Sequence, residues 1–493
     1  MTRARALPAI AWILLGFACV TLPLAFILNV WQDEAYSLIT TGGSLGHTVH
    51  QAIFFEQNAP LYFILLWAWR HVSESYQWAR LLSVLCAAGT IALVPAIVRR
   101  YAPAISPVAV TLAVAFNPLS IWAAVEIRSY ALAMLLGAAV ACTGYDAFLS
   151  RPPRRYALAA FVVTAALAAY TQYFILFLVA GLGVVLLARA AWGAFARYVA
   201  AGVAVVVLFI PELTILPAQL GAFRTAYVGP PSFGSALAQL AKILFFQLFQ
   251  IGELPHRAWL AAAIGLALAG GVVAGRRAFL RRGPVAAIVL IAASAAIYAA
   301  AVYVLGTHFD YRYGAFLFVP WVVAVFSGFA WWAPPAANRG AAAFAALMLC
   351  ISAAVLAHTY RAGAKIGDWR RVSAYLESHV DGPQTILVFQ AENAVPLAYY
   401  YRGPGRIVAI PRPVDFRSYD VAQFVVRNGS DVRRAIDGAG NPRELWLVTA
   451  GACHSLNVRY GCGIVSDYVA AHYRTVEQAR FFQADVRRLV RLR

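Results

Sequence analysis

Three short stretches of an otherwise apolar chain hold the residues that could do chemistry. In "VWQDEAYSLITTGG", residues 30–43, Asp33 and Glu34 stand side by side where the first apolar run ends. In "NPLSIWAAVEIRSYALAM", residues 117–134, Glu126 and Arg128 interrupt two apolar runs, with Trp122 and Tyr130 close by. In "GTHFDYRYGAFLFVPW", residues 306–321, His308, Asp310, Tyr311, Arg312 and Tyr313 crowd the start of another run. A positioned carboxylate can take a proton from a hydroxyl. An arginine can grip a phosphate through two parallel hydrogen bonds while a tyrosine donates another. Read singly, each group is equally a solvated helix cap or an aromatic anchor at a membrane interface. Read together, acids and arginines at helix ends suit a substrate whose phosphate is carried on a lipid.

The elements that must position them are membrane helices. The chain of 493 residues is 62% hydrophobic and 12% charged, where an ordinary globular domain has about 25% charged residues. Crossing the hydrocarbon core takes about 20 apolar residues, and such runs recur from residue 8 to residue 359. The pattern predicts eleven spans, near 8–30, 78–98, 104–124, 129–149, 156–171, 173–190, 197–214, 257–275, 284–305, 313–332 and 340–359. The formal net charge is +19 and nearly all of the basic residues are Arg, with Lys only at 242 and 365. Basic loops beside anionic headgroups explain this charge better than nucleic acid does. Arg3 and Arg5, Arg99 and Arg100, Arg151, Arg154 and Arg155, then Arg189 and Arg197 fall in alternate loops. Arg276, Arg277, Arg281, Arg282 and Arg339 continue the series. The positive-inside rule makes those loops cytoplasmic, which puts the N-terminus inside and both the C-terminal tail and the three constellations outside. The start "MTRARALPAIAWILLGFACV" has the form of a signal peptide, but its apolar stretch runs on to about Val30 without an evident cleavage site. It is expected to stay as the first helix.

Two segments resist this scheme. "APLYFILLWAW", residues 59–69, is apolar but too short to span, and is read as a helix in the outer interface. "SALAQLAKILFFQLFQIG", residues 235–252, is read the same way, the alternative being a twelfth span that would turn the tail inside. The first outer loop then covers residues 31–77. From Trp31 through Trp69 it lacks Lys and Arg yet carries Asp33, Glu34 and Glu56. The membrane part is expected over residues 1–359 and a soluble α/β domain over 360–493. In the latter, "DWRRVSAYLESHV" reads as an amphipathic helix, and "QTILVFQ" and "ELWLVTAG" read as strands. Cys19, Cys86, Cys142 and Cys350 lie in apolar spans as small hydrophobes. Cys453 and Cys462 flank "HSLNVRYG" and are either a disulfide or two free thiols. "NGS" at 428–430 is a weak glycosylation match.

Three motifs in this order resemble the GT-C membrane glycosyltransferases, family-39 branch, which holds protein O-mannosyltransferases, aminoarabinose transferases and bacterial galacturonosyltransferase-like proteins. "WQDEAYS" resembles the acidic motif of their first outer loop. "NAPLYFILLWAWRHV…WARLLSVL" resembles their "PPLYYWL…RL" stretch, and "FNPLSIWAAVEIRSYALAM" resembles the Glu- and Arg-bearing stretch of the bacterial members. The match covers roughly residues 8–215, with "YRYGAFLFVP" a looser echo. One departure stands out: some relatives carry "KPPL", whereas this chain reads "QNAPL", with Gln57 and Asn58 before the proline.

The resemblance implies a GT-C fold, here of about eleven transmembrane helices with a C-terminal soluble α/β domain. It implies transfer of a sugar from a polyprenyl-phosphate donor to a lipid, glycan or protein acceptor at the outer face of the inner (cell) membrane. By that likeness Asp33 is the general base, Glu34 orients the acceptor, and Glu126 shapes the acceptor or metal site. Arg128, Arg312 and Tyr311 hold the departing phosphate. Tyr36, Glu56, Asn58, Tyr62, Tyr130 and His308 are the candidates for the surrounding acceptor and donor pocket. A single displacement inverts the anomeric centre. No cofactor is required by this reading; a divalent metal is an open option, with Asp33, Glu34, Glu126 and His308 as hard donors. The rival from another class is a transporter or flippase of lipid-linked glycans, which would favour inverted repeats and polar groups near the bilayer midplane.

Overall fold

The computed structural model describes residues 3–219, 232, 234, 244–245, 247–250, 285–305, 311–455 and 458–493. The chain divides into two compact units. One comprises Met1–Phe26, Asn58–Pro217 and Pro230–Arg361; the other comprises Ile27–Gln57, Ala218–Gly229 and Ala362–Arg493.

The first unit is helical. Its leading elements are α1 (Arg3–Ile27, whose last residue belongs to the second unit), α4 (Leu61–Arg70), α5 (Tyr76–Tyr101), α6 (Pro107–Ala115), α7 (Pro118–Ala124) and α8 (Tyr130–Gly144). Between α1 and α4 the second unit contributes α2 (Gln32–Thr40) and α3 (Leu45–Phe54). Then come α9 (Ala157–Ala169), α10 (Leu176–Ala188) and α11 (Trp192–Leu213). Later helices cover Val285–Leu305, Phe318–Ser327 and Pro334–Thr359.

Among the described residues six helices are long and apolar enough to cross a membrane, or seven if the bent pair α6–α7 is one span. This is a multi-pass membrane protein. The expected count of eleven spans is not confirmed among the described residues. The spans expected at 156–171 and 173–190 are shorter apolar helices, and 257–275 lies outside the described residues, as does most of 235–252. The span expected at 104–124 is broken, with a 56° bend between its halves. Its cause is local. Pro118 has no N–H to continue the ladder, and the Asn117 side chain accepts from Leu119 N at 2.8 Å to start a new helix. Asn117 Nδ2 also donates to the carbonyls of Gln247 and Leu248, which satisfies the break inside the protein.

Side-chain bonds sort the helix ends of this unit into two sets. Arg100, at the end of α5, forms a fork with Asp146 at 2.9 and 2.6 Å, and Arg154 reaches the same carboxylate at 3.2 Å. Asn338, at the start of the helix Pro334–Thr359, accepts from Ser106 N at 2.8 Å. Hence the Arg99, Arg151 and Arg339 loops share one end of the bundle. At the opposite end, Tyr76 and Arg80 donate to the carbonyls of Phe26 and Ala25, and Leu61 N donates to Tyr170 O. Arg3 and Arg5, at the far end of α1, therefore fall with the other arginines. For these loops the alternation read from the sequence is an alternation in space, while Arg276, Arg277, Arg281 and Arg282 lie outside the described residues.

The stretch expected to be interfacial forms α4, ten residues and roughly 15 Å long, too short to span. It is clamped to α5 by Trp69 and Trp78, stacked with centroids 4.6 Å apart. Each indole N–H donates to the other residue's carbonyl at 2.8 Å.

In the second unit a five-stranded sheet has the order β2-β1-β3-β7-β6. Its strands are β1 (Thr385–Phe389), β2 (Arg406–Ala409), β3 (Glu444–Ala450), β6 (Tyr473–Phe481) and β7 (Ala484–Arg491); β4 and β5 (His454–Ser455, Val458–Arg459) pair separately. β1 runs parallel to both neighbours, whereas β7 is antiparallel to β3 and β6. β1 and β3 bury both faces, so both read as continuous apolar runs. One face packs the amphipathic helix Trp369–His379 through Trp369, Val372 and Leu376. The other packs the helices Gly429–Gly438 and Cys462–His472 through Val432, Ile436, Val465 and Val469. Cys453 and Cys462 are joined by a disulfide.

Candidate functional site

The acidic pair opens α2, and its two members differ sharply in environment. Glu34 has no exposed surface; Asp33 is half-buried. Glu34 Oε1 meets Lys365 Nζ at 3.0 Å, and Oε2 accepts from Trp31 N at 3.4 Å. The second contact reaches back over the first turn, satisfying an N–H that the helix itself leaves open. Lys365 is itself buried and its backbone N–H donates to Asn29 Oδ1 at 2.7 Å. The strand-like stretch before α2 is pinned further by Val30 N donating to the Tyr400 hydroxyl at 2.7 Å. So the start of α2 is fixed by its second acid, leaving the first at the surface of the unit. Both Glu34 oxygens are engaged within the protein, which makes it a poor metal donor.

A second carboxylate missed in the sequence lies beside them. Glu392, in the short 3-10 turn Ala391–Asn393 after β1, accepts from Gln32 Nε2 at 2.7 Å and from the Tyr419 hydroxyl at 3.1 Å. Burial pushes its carboxyl up to about 8, with the Asp33 charge adding to the rise. Tyr36, one turn along α2, is enclosed by the rings of Phe55, Phe416 and Tyr419. Burial, then the charges of Glu392, Asp33 and Glu56, hold its phenol well above the usual range. Its hydroxyl has no hydrogen-bond partner among the described residues. Glu56 accepts from Thr40 Oγ1 at 3.3 Å. Gln57, with φ 53°, turns the chain and donates to Tyr419 O at 3.0 Å. Asp33, Glu34, Tyr36 and Glu56 thus share the second unit, together with Glu392 and Lys365.

The other candidates belong to the helical unit. Glu126 is buried in the turn between α7 and α8, where Ser83 Oγ donates to its backbone carbonyl at 2.6 Å. Arg128 is half-buried in the same turn. Tyr130 opens α8 with its ring 4.9 Å from Trp122. Tyr62 is buried in α4, and Asn58 is half-buried just ahead of it. The motif "YRYGAFL" is the 3-10 helix Tyr311–Leu317, which carries a half-buried Arg312 and packs on α8. Gly137 permits that approach, since a Cβ there would lie 2.4 Å from Phe316 O. His308 and Asp310 lie outside the described residues, and of Tyr311 only the backbone is described.

Two further charged groups escaped the sequence reading. Arg80 is fully buried one turn into α5, its guanidinium 4.9 Å from the Tyr76 ring centroid and bonded to Ala25 O at 2.9 Å. Glu212 is buried near the end of α11 and accepts from the Tyr173 hydroxyl. A charge inside an apolar span was the available signal for both. Among the described residues no three His, Cys, Asp or Glu side chains are grouped to hold a metal ion.

No family model matches the chain, and no curated protein sequence does. Solved structures do. ArnT from Cupriavidus metallidurans in the apo state aligns over 98% of this chain and 98% of its own, with a TM-score of 0.58 at 15% identity. The same protein bound to undecaprenyl phosphate aligns over 97% and 98%, with a TM-score of 0.57 at 14% identity. The oligosaccharyltransferase of Archaeoglobus fulgidus, in complex with zinc and sulfate, covers 89% of this chain and 68% of its own, with a TM-score of 0.50 at 12% identity. The chain therefore shares its fold with these two proteins.

Proposed function

We propose that the protein is a membrane glycosyltransferase that takes a sugar from a polyprenyl-phosphate donor. The observation that carries this is the likeness, over nearly the full length of both chains, to a structure solved with undecaprenyl phosphate. The three motifs that resemble family-39 transferases support it independently. In this reading Asp33 is the general base that removes a proton from the acceptor hydroxyl as it attacks the anomeric carbon. The C1–O bond to phosphate breaks as the new glycosidic bond forms, inverting the centre and releasing polyprenyl phosphate. Arg128 and Arg312, with Tyr311, neutralise that leaving phosphate, which needs charge stabilisation more than protonation. Glu34 acts as a positioning residue: its pair with Lys365 fixes the start of α2 and hence Asp33. By the motif resemblance alone, Glu126, Tyr130, Tyr62, Asn58, Tyr36, Glu56 and His308 remain the residues proposed to bind donor or acceptor. The positive-inside rule puts the Arg-rich helix ends in the cytoplasm, so that transfer occurs at the outer face of the cell membrane. The acceptor is an envelope lipid, glycan or protein.

The test supplies purified protein in nanodiscs with a panel of polyprenyl-phosphate sugars and an envelope extract. Transfer by the native protein and its loss in Asp33→Asn, with thermal stability unchanged, is expected. Undiminished transfer in that variant removes Asp33 from the chemistry, and no transfer from any donor removes the reading.

A further inference from the structure

The second unit carries a cationic cleft that the transfer reaction does not use. It has a volume of about 510 Å³ and lies between the edge strand β2, the Pro411–Pro413 segment that follows it, and the helix Gly429–Gly438. Four arginines line it, Arg406, Arg412, Arg427 and Arg434, against the single acid Asp431. Arg434 is paired with Asp431. Arg406, Arg412 and Arg427 are exposed, and none of the three has a side-chain hydrogen bond or ion pair among the described residues. Arg412 feels the charge of Asp415 without bonding to it. Three guanidinium groups around one cleft repel each other and create a positive potential that an anion relieves.

Local structure explains why they face one space. Prolines on both sides of Arg412 fix the chain as it leaves β2. The helix turns Val432 and Ile436 into the core, which leaves Asp431, Arg434 and the small Ala435 and Gly438 along the cleft and keeps it open. The rest of the lining is Val408, Ala409, Ala422, Gln423 and Val425, with no aromatic ring. A nucleobase would find no stacking platform there. The size is in the range of small-molecule pockets, and guanidinium groups bind phosphate through paired hydrogen bonds.

We infer that this cleft binds a small ligand carrying two or more phosphate groups, either free or as the headgroup of a lipid. Binding stands on the second unit alone and does not depend on Asp33 or on catalysis.

The experiment uses the full-length protein in phosphatidylcholine nanodiscs and fructose 1,6-bisphosphate as the probe, followed by calorimetry. Binding is expected, falling with rising salt, with fructose itself inert. The triple variant Arg406→Gln, Arg412→Gln, Arg427→Gln should weaken binding at least tenfold, and a control pair outside the cleft, Arg443→Gln with Arg474→Gln, should leave it unchanged. Because none of the three side chains is bonded within the fold, the variant should keep the native melting temperature, and each single variant is measured as well. Competition by phosphatidylinositol bisphosphate in the disc, without competition by phosphatidylglycerol, assigns the ligand to a lipid; no competition by either assigns a free phosphorylated molecule. Equal competition by phosphatidylglycerol would make the cleft a general membrane contact and overturn the inference. So would equal binding of fructose, equal loss in the control pair, or binding unaffected by the triple variant. The readout is binding, so it is independent of any failure of the transfer reaction.

Discussion

Replacing Lys365 by Met should unfasten the start of α2. The pair it makes with Glu34 is enclosed: the two side chains keep 8% and 0% of their surface, at 3.0 Å. Removing the lysine takes away the cation that meets this buried carboxylate, which keeps its 3.4 Å contact from Trp31 N. Breaking one side of a buried pair typically costs about 3–5 kcal/mol, whereas replacing both by apolar groups is often close to neutral. For a unit of this size that corresponds to a fall in melting temperature on the order of 10 °C. The assay is intrinsic-fluorescence melting of the native protein, Lys365→Met, Glu34→Leu and the double variant in the same nanodiscs. Each single change should lower the melting temperature, and the double variant should recover most of the loss. Singles within about 0.5 kcal/mol of native would show that the pair does not hold α2, because leaving one buried charge without its partner costs more than that. Additive losses in the double variant would show that the two side chains act separately.

Other expectations rest on different features. Glu392 has its folded-state value raised from the ordinary 4.5 to about 8 by burial. Its contribution favours the fold below the ordinary value and is lost as pH rises through about 8. Glu392→Gln should therefore flatten the decline in melting temperature between pH 5 and pH 9, and an unchanged slope would contradict this. Gly137→Val must push the Arg312 helix off α8, given the 2.4 Å approach to Phe316 O, so transfer should fall together with stability; native activity in that variant would show that this packing is dispensable. Trp78→Ala removes the stacked pair and the bond from the Trp78 indole to Trp69 O between α4 and α5. A loss of about 3–5 kcal/mol is expected, read as early proteolysis of the α4 segment.

Much of the fold was legible because hydropathy is a bulk property. Apolar run length located most of the spans, and the alternation of arginines anticipated which helix ends come together. The bend after Phe116 was written in "NPL", a cap followed by proline, yet a continuous apolar run hides a break in the ladder. The parallel strands β1 and β3 were legible as short apolar runs. The β6–β7 hairpin was not, because its outer strand exposes Val476 and half-buries Glu477, which breaks the apolar–polar alternation. At the candidate site the acidic pair was visible, but the division of labour within it was not. Nothing in "QDEAYS" says that Glu34 meets Lys365, one of only two lysines, across the whole length of the chain. Glu392 sits in "QAENAV", a stretch whose chemistry comes only from Gln32 and Tyr419 folding over it. Such partners are set by tertiary approach, which periodicity does not record.

The central claim is that a sugar is transferred and its lipid carrier released. The most direct test counts both products in one reaction, using a polyprenyl phosphate bearing a radiolabelled sugar and the native protein beside Asp33→Asn. One polyprenyl phosphate freed for each sugar joined to the acceptor, with at least a hundredfold loss in the variant, is the expected result. Labelled lipid that crosses the bilayer intact, with no free polyprenyl phosphate in either protein, would contradict the account and make the protein a carrier of lipid-linked sugars.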